Sequence, residues 1–475
     1  MKIKAPFVLL NFSVMYPLPP PYRKATFAPL YSESELQRAV LSAYTKSLFS
    51  RWKALSESHD GKNLFDFARR TPQNVDRIHK ELLAKTFRFR EGIELTFRSH
   101  KKERTVYIFP WEERIVDLLL YRVLNRYFHG AFSSCTYAYR YRSFGIDRCQ
   151  RKIKTAIRSS GRPLFLLKRD ISQYFPSMNH QILLAALESW VEKSDYLYEL
   201  LTQRVKFFFK REESTFTAER GVPFGSAISC FFANLYLIPL DNALNKIENL
   251  HFFRYGDDIL VLTDKEARAK EAHVIIENTL DLLSLQSKES HHLNLLFGEP
   301  ISGYKAVQSF RHLGLQFKES GVVALPKEKV RKICNLFRRA FRRERNFIFR
   351  YPDPYESAQR AIKVARKTIE RSFRSVAIID YYLKHGEEES QLKEIDRWLA
   401  EEILALAFQR GHKKGNFAKI PFAQLRAMGL PSLLHRRKLL IHGHISSSFF
   451  DFGRGERYRR KGRSSCQAEK PILHV

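Results

Sequence analysis

The sequence predicts an α+β fold, and three observations carry that prediction. Leu164-Phe165-Leu166-Leu167 is a continuous apolar run ending in Lys168-Arg169-Asp170, which reads as a buried strand over Pro163 to Ile171. The segment His251 to Thr263 places Phe252-Phe253 and Ile259 to Leu262 on either side of Tyr255-Gly256-Asp257-Asp258, which is the pattern of a hairpin. Helical spacing of apolar residues dominates elsewhere, most of all in the final third. At 475 residues, 44% of them hydrophobic, the chain has material for a real core and for two or three subdomains.

In chain order, residues 1–70 read as a loosely patterned N-terminal arm. The apolar stretch Phe7 to Tyr16 is interrupted by Asn11 and Ser13 and runs into Pro17-Leu18-Pro19-Pro20-Pro21, so it reads as neither signal peptide nor membrane span. Thr71-Pro72-Gln73 opens a helix with Val75, Ile78, Leu82 and Leu83 at helical spacing. A second helix follows Pro110, its apolar face formed by Ile115, Leu118, Leu119, Tyr121, Val123 and Leu124. Glu112 and Glu113 fall in its first turn, where the helix dipole favours anions. After the strand ending at Asp170, a helix begins near Asn179 with Ile182, Leu183, Ala186 and Leu187 inward, then a basic segment around Lys206, Lys210 and Arg211. Gly221 to Ser229 is a Gly/Pro loop and Phe231 to Leu237 an apolar helix. Beyond a strand pair around Phe310 to Phe317, helices are expected over Lys327 to Arg345, Glu356 to Lys384 and Gln391 to Gln409, with a mobile basic tail from Arg454.

Lys plus Arg number 82 against 50 Asp plus Glu, and the resulting +32 attracts polyanions and releases their counterions. Nucleic acid is the leading partner; solubility or an acidic membrane surface is the alternative. Residues 321–475 hold 34 of the cations and 16 of the anions, so +18 lies in the last third and a polyanion-gripping C-terminal region is expected. The five cysteines, Cys135, Cys149, Cys230, Cys334 and Cys466, include no C-x-x-C pair of the kind a structural zinc needs. Reduced thiols in the cytoplasm fit that pattern.

Asp170, Asp257 and Asp258 are the residues with chemistry to offer. Joining a nucleotide to a strand requires a 3′-hydroxyl to attack phosphorus while pyrophosphate leaves, and two Mg²⁺ ions, with Mn²⁺ as the alternative, can stabilise both oxygens. Such hard cations take carboxylate oxygens. A tight hairpin lets at least one of two adjacent aspartates face a common site, Gly256 supplies the permissive backbone, and a strand-terminal Asp170 is the obvious third donor. The same residues also suit ordinary turn and capping chemistry. Convergence of the three would separate the two readings, because adjacent carboxylates repel unless cations neutralise them.

The order of motifs resembles that of the reverse transcriptase family over Lys101 to Phe317. R-T-V-Y-I-F-P-W-E-E-R from Arg104 to Arg114 resembles the fingers motif of prokaryotic members, and Thr136-Tyr137-Ala138-Tyr139-Arg140 is similar to their S-Y-A-Y-R. Asp170-Ile171-Ser172-Gln173-Tyr174-Phe175 resembles the first palm motif. Gly221-Val222-Pro223-Phe224-Gly225, Ser229 and Ala233-Asn234-Leu235-Tyr236-Leu237 resemble G-x-P-x-G-x-x-x-S-x-x-x-A-N-x-Y-L, and His312-Leu313-Gly314-Leu315 resembles the primer-grip hairpin. The resemblance implies a right-hand polymerase with fingers over residues 71–162, a palm of antiparallel sheet and helices over 163–320, and a basic helical thumb and extension over 321–475. By it, Asp170, Asp257 and Asp258 are the catalytic, metal-binding aspartates, and the carbonyl of Ile171 is a further metal ligand. Phe175 is an aromatic gate against the ribose 2′-hydroxyl, a core phenylalanine being the alternative. Arg104, Phe224 and Gly225 contact the nucleotide, Lys102 and Arg114 are weaker candidates for the triphosphate, and Leu313 and Gly314 grip the primer. Two departures stand out. Phe224 replaces the glutamine of many members, and Leu293 to Tyr304 lacks the lysine that often follows L-x-L-N, leaving Lys305 as a substitute proton donor.

The resemblance extends to bacterial defence-associated and unknown-group enzymes, related to those of diversity-generating retroelements and group II introns. No C-x-x-C/H-N-H nuclease pattern or acidic RNase H-like segment follows. The expected function is RNA-directed DNA synthesis in antiphage defence, with dNTPs, a DNA product and an RNA template or noncoding RNA as partners, and no membrane. A retroelement-type reverse transcriptase, an RNA-dependent RNA polymerase and an inactive RNA-binding scaffold are the alternatives. Gly429-Leu430-Pro431-Ser432-Leu433 and His435-Arg436-Arg437-Lys438 are expected to bind structured RNA or a heteroduplex, or to meet a second copy or a partner protein.

Overall fold

The computed structural model describes residues 12–48, 54–99, 102–140, 143–288, 295–297, 299, 304–350, 352–370 and 373–445. The chain forms two compact units, residues 1–307 and 308–475.

The first unit is α+β. β1 (Gly92–Ser99) and β2 (Lys102–Ile108) form a hairpin, β3 (Leu164–Asp170) follows a pair of helices, and β4 (Phe208–Arg211) and β5 (Ser214–Thr217) form a second hairpin. Then come β6 (His251–Tyr255), β7 (Asp258–Thr263), β8 (Leu295–Phe297) and β9 (Lys305–Ala306). These strands make two sheets, β2-β1-β4-β5 and β6-β7-β3-β8-β9. β3 lies centrally in the second, antiparallel to both β7 and β8, which is why its apolar run is continuous rather than alternating. In the first sheet β1 alternates Ile93, Leu95 and Phe97 with Glu94, Thr96 and Arg98, whereas β4 and β5 are only four residues each and carry Lys, Arg, Ser and Thr, so their pairing rather than an apolar pattern defines them.

Helices pack around the second sheet. In Thr71–Leu83 the inward face is Val75, Ile78 and Leu82, while Leu83 is exposed. Trp111–Tyr127 carries Glu112 and Glu113 in its first turn as expected, and is so deeply set that both are buried in ion pairs with Arg77, Arg90 and Arg204. Asn179 caps His180–Trp190 by accepting from the backbone N–H groups of Gln181 and Ile182. Within the span expected as an arm, Glu33–Leu48 buries Leu36, Ala39, Val40 and Ala43, and Glu35 holds Arg126 of the Trp111–Tyr127 helix at 2.6 Å. Tyr16, fully buried, donates to the Tyr236 carbonyl at 3.1 Å.

The second unit starts with the small antiparallel sheet β10 (Ser309–His312), β11 (Leu315–Lys318) and β12 (Val323–Ala324) and continues as helices. Lys327–Arg343 and Glu389–Ala407 lie where the periodicity places them, whereas the single helix expected over Glu356 to Lys384 is two, Pro354–Glu370 and Phe373–His385. Asp380, fully buried, receives Arg436 through two bonds of 2.7 and 2.9 Å, which ties the helix Leu433–Ile441 into the unit. Cys135, Cys149, Cys230 and Cys334 are unbridged; Cys466 and the basic tail lie outside the described residues. Among the described residues no helix is long and apolar enough to cross a membrane.

Candidate active site

Register alone brings two of the aspartates together. β3 pairs with β7 so that Asp170 stands directly opposite Asp258, and Tyr255 faces Asp258 from β6. Gly256 closes the β6–β7 turn at φ 70°, a left-handed conformation that disfavours other residues. A Cβ there would meet the Tyr139 ring at an ordinary 3.5 Å, so backbone conformation rather than space calls for glycine.

The carboxylates press on one another. Burial, then the charge of Asp170, pushes Asp257 up to about 6, and burial outweighs Lys168 in raising Asp258. Lys288 Nζ donates to Asp170 Oδ2, the Lys288 backbone N–H donates to the Asp170 carbonyl at 2.7 Å, and Lys168 Nζ lies 4.0 Å from Asp258. Among the described residues no group of three His, Cys, Asp or Glu side chains is gathered closely enough to hold a metal ion. The donor set nevertheless suits a hard divalent cation: it is all oxygen, partly desolvated, and destabilised by the like charges such a cation would neutralise.

A cavity of about 870 Å³ opens beside these residues, lined by Asp257 and Lys288 together with Arg104, Ile171, Phe175 and Phe224. Phe175 is half-buried, its ring edge-on to Tyr139 at 6.3 Å and to Phe224 at 5.5 Å. The loop bearing Phe224 is fixed from two sides: the Tyr107 backbone N–H donates to the Phe224 carbonyl at 3.1 Å, and Val222 N–H to the Phe175 carbonyl at 3.0 Å. Gly221 sits so close to Pro176 that a Cβ would fall 2.8 Å from its carbonyl oxygen, which fixes the choice of glycine. Gly225, at φ 115°, follows in the same loop.

Other expected contacts divide. Arg114 lies over the Trp111 ring at 4.5 Å and donates to Ser56, and it is not among the residues lining the cavity. The side chains of Lys102 and Lys305 lie outside the described residues. Leu313 and Gly314, at φ 47° and 78°, form the β10–β11 turn of the second unit.

Two buried arginines support the site and had no sequence signature, since Arg in a basic chain reads as surface. Arg254, fully buried on β6, binds Asp241 through Nε at 2.7 Å, Asn234 Oδ1 at 3.3 Å and the Gly256 carbonyl at 3.2 Å. Asn234 in turn donates to the Ala138 carbonyl at 2.9 Å, so one cation ties the hairpin turn to a helix and to the loop carrying Tyr139. Arg204 lies between the rings of Phe89 and Phe109 at 3.8 and 3.9 Å, and donates to Asp117 at 2.8 Å and Glu113 at 3.1 Å. Asp117 also accepts from Ser226, in the loop of Phe224 and Gly225, at 2.8 Å.

Arg204 is shared between two carboxylates there, and burial outweighs both it and Arg90 enough to push Glu113 up to about 7 from its ordinary 4.5. A carboxyl raised on folding contributes stability that is full below about 4.5 and lost as pH rises through about 7. Glu113→Gln is therefore expected to gain roughly 1 kcal/mol relative to the parent between pH 6 and pH 8. Denaturant melts of both proteins at the two pH values measure this; a pH-independent difference would remove the protonation.

Residues 112–317 match the family described as "Reverse transcriptase (RNA-dependent DNA polymerase)". Comparison with curated proteins finds no match. Among solved structures, apo telomerase from Candida tropicalis, truncated from its C-terminal domain, is 12% identical at a TM-score of 0.41, over 50% of this chain and 55% of that one. Telomerase from Candida albicans with a fragment of telomeric RNA is 10% identical at a TM-score of 0.44, over 78% and 71%. This chain thus spans about half the length of the first of these structures. From the family match over the segment that holds β3, the aspartate hairpin and the Phe224 loop, the chain contains a reverse-transcriptase-like domain.

Proposed function

We propose that this chain is an RNA-directed DNA polymerase that extends a primer with dNTPs by two-metal nucleotidyl transfer. One observation carries the reading: Asp170 and Asp258 are registered across β3 and β7, Asp257 sits at the adjoining turn, and the cavity Asp257 lines also presents Phe175, Phe224 and Arg104. Asp170, Asp257, Asp258 and the Ile171 carbonyl would hold Mg²⁺, or Mn²⁺, which when bound stabilises the attacking and leaving oxygens. Arg104, exposed on β2 at the rim, is placed to meet a triphosphate, for which guanidinium is geometrically suited. Phe224 offers an aromatic face where an amide would otherwise bond the nucleotide or template. In this reading residues 71–162 act as fingers, 163–320 as palm and 321–475 as thumb and extension. The setting, antiphage defence with an associated noncoding RNA, is supported by the resemblance around Phe224 and by the basic helical C-terminal region.

Phe175 is the residue that would select the sugar. Edge contacts with Tyr139, Phe224 and Tyr174 hold its ring, so a ribose 2′-hydroxyl would meet aromatic carbon with no room to displace it. Primer extension with Mg²⁺ and either dNTPs or rNTPs tests the function. The parent is expected to incorporate dNTPs, and Phe175→Ala to gain roughly 10-fold or more in rNTP incorporation relative to dNTP, of the order a relieved clash is worth. Preferential use of rNTPs by the parent would favour an RNA polymerase. Unchanged sugar discrimination in the variant would end the gate's role.

A further inference from the structure

We infer that the helical unit carries a nucleic-acid site of its own, a groove for single-stranded nucleic acid built around Phe422. The inference does not depend on the polymerase reading. A cavity of about 1000 Å³ in this unit is lined by Arg366, Lys393, Arg397, Phe422, Arg426 and Arg436, drawn from four helices.

Of the two carboxylates lining this groove, Asp396 is already engaged. Asp396 accepts from Ser432 Oγ at 2.6 Å and from the Leu433 N–H at 2.7 Å, neutralising the start of Leu433–Ile441. Arg436 is held by Asp380, and Arg397 by Glu401 at 3.2 Å. Arg366, Lys393 and Arg426 are exposed and have no carboxylate within salt-bridge distance among the described residues. These three charges are available to phosphates, and Glu370 is the remaining acidic residue of the lining.

An exposed aromatic ring distinguishes the groove from a merely solvated basic face. Gly429, at φ 88°, ends the helix Phe422–Ala427 in the left-handed conformation and lies against the Arg366 guanidinium. Phe422, a large apolar side chain 39% exposed, begins the helix Phe422–Ala427 among these cations, with the Phe417 ring 6.4 Å behind it. An aromatic face among cations suits unpaired bases with their phosphates; in a duplex the base faces are already stacked on one another. RNA and DNA single strands share this chemistry.

The test is fluorescence anisotropy of the full chain with a fluorescein-labelled mixed-sequence 12-nucleotide strand, as RNA, as DNA and annealed to its complement, across a NaCl titration. Phe422→Ala is expected to weaken single-strand binding roughly 5-fold or more, the range of one lost stacking partner, with the salt slope kept. Arg366→Gln/Lys393→Gln/Arg426→Gln is expected to flatten the log–log salt slope by about 2, at 0.7 per lost phosphate contact. Arg69→Gln/Arg70→Gln/Lys85→Gln, which removes as many exposed cations elsewhere, is expected to leave slope and affinity within about twofold. The strand whose binding falls further identifies RNA or DNA as the natural ligand. Unchanged single-strand binding in Phe422→Ala would overturn the inference and leave the groove to a duplex or an acidic protein. Equal losses in the two triple variants would also overturn it, by assigning binding to bulk charge.

Discussion

Asp257→Asn is expected to lower dNTP incorporation by about 10³-fold or more and, without divalent cations, to stabilise the protein. In the proposed mechanism the activity loss follows from removing a carboxylate that would hold the cations. The gain in stability has a separate cause. Burial and the neighbouring Asp170 raise Asp257 to about 6 from its ordinary 3.8, so its contribution to stability is full below about 3.8 and lost as pH rises through about 6. At pH 7.5 the asparagine variant, relieved of that repulsion, is expected to be more stable by about 1 kcal/mol after allowance for partial solvent screening, and at pH 4 no more stable than the parent. Primer extension and metal-free melting curves measure the two effects. Incorporation within tenfold of the parent would remove Asp257 from the catalytic set, and a stabilisation equal at both pH values would deny the repulsion.

The second large effect concerns Arg254. Arg254→Met leaves Asp241 buried without its partner and is expected to cost about 3–5 kcal/mol, the penalty of an uncompensated charge rather than the net worth of the pair. Because Arg254 also holds the Gly256 carbonyl, the turn bearing Asp257 loses a tether. Arg254→Met/Asp241→Leu removes both charges and is expected to recover most of the stability while incorporation stays depressed at unchanged dNTP KM. That split marks a positioning residue. Recovery of kcat together with stability in the double variant would reduce Arg254 to a purely structural role.

Much of the site was readable before any coordinates. The apolar run of β3 and the apolar flanks of Tyr255 to Asp258 are local patterns, and both strands form with the predicted bounds to within a residue or two. The helices after Pro110 and Asn179 were legible for the same reason, since a 3.6-residue period and a capping side chain are written along the chain. The β1–β2 and β4–β5 hairpins were not, because their strands carry many Lys, Arg, Glu and Thr residues, and only the pairs Gly92–Phe209 and Ile93–Lys210, more than a hundred residues apart, join the two hairpins into one sheet. Lys288 was equally hidden: nothing near it in sequence marks it, and only the run of Gln286 to Lys288 alongside Asp170 to Ser172 sets it on a carboxylate.

What the sequence determined by itself was the inventory: three aspartates, a glycine able to take a left-handed turn, an aromatic residue five positions after Asp170, and an excess of cations. Local propensity and period suffice for that. The tertiary structure decided which charges line the cavity and which hold the fold, since desolvation and partner geometry depend on residues far apart in the chain. Arg254, Arg204 and Arg114 look alike in sequence; burial makes the first two the centres of ion-pair networks and lays the third against Trp111, while Arg104 remains at the cavity.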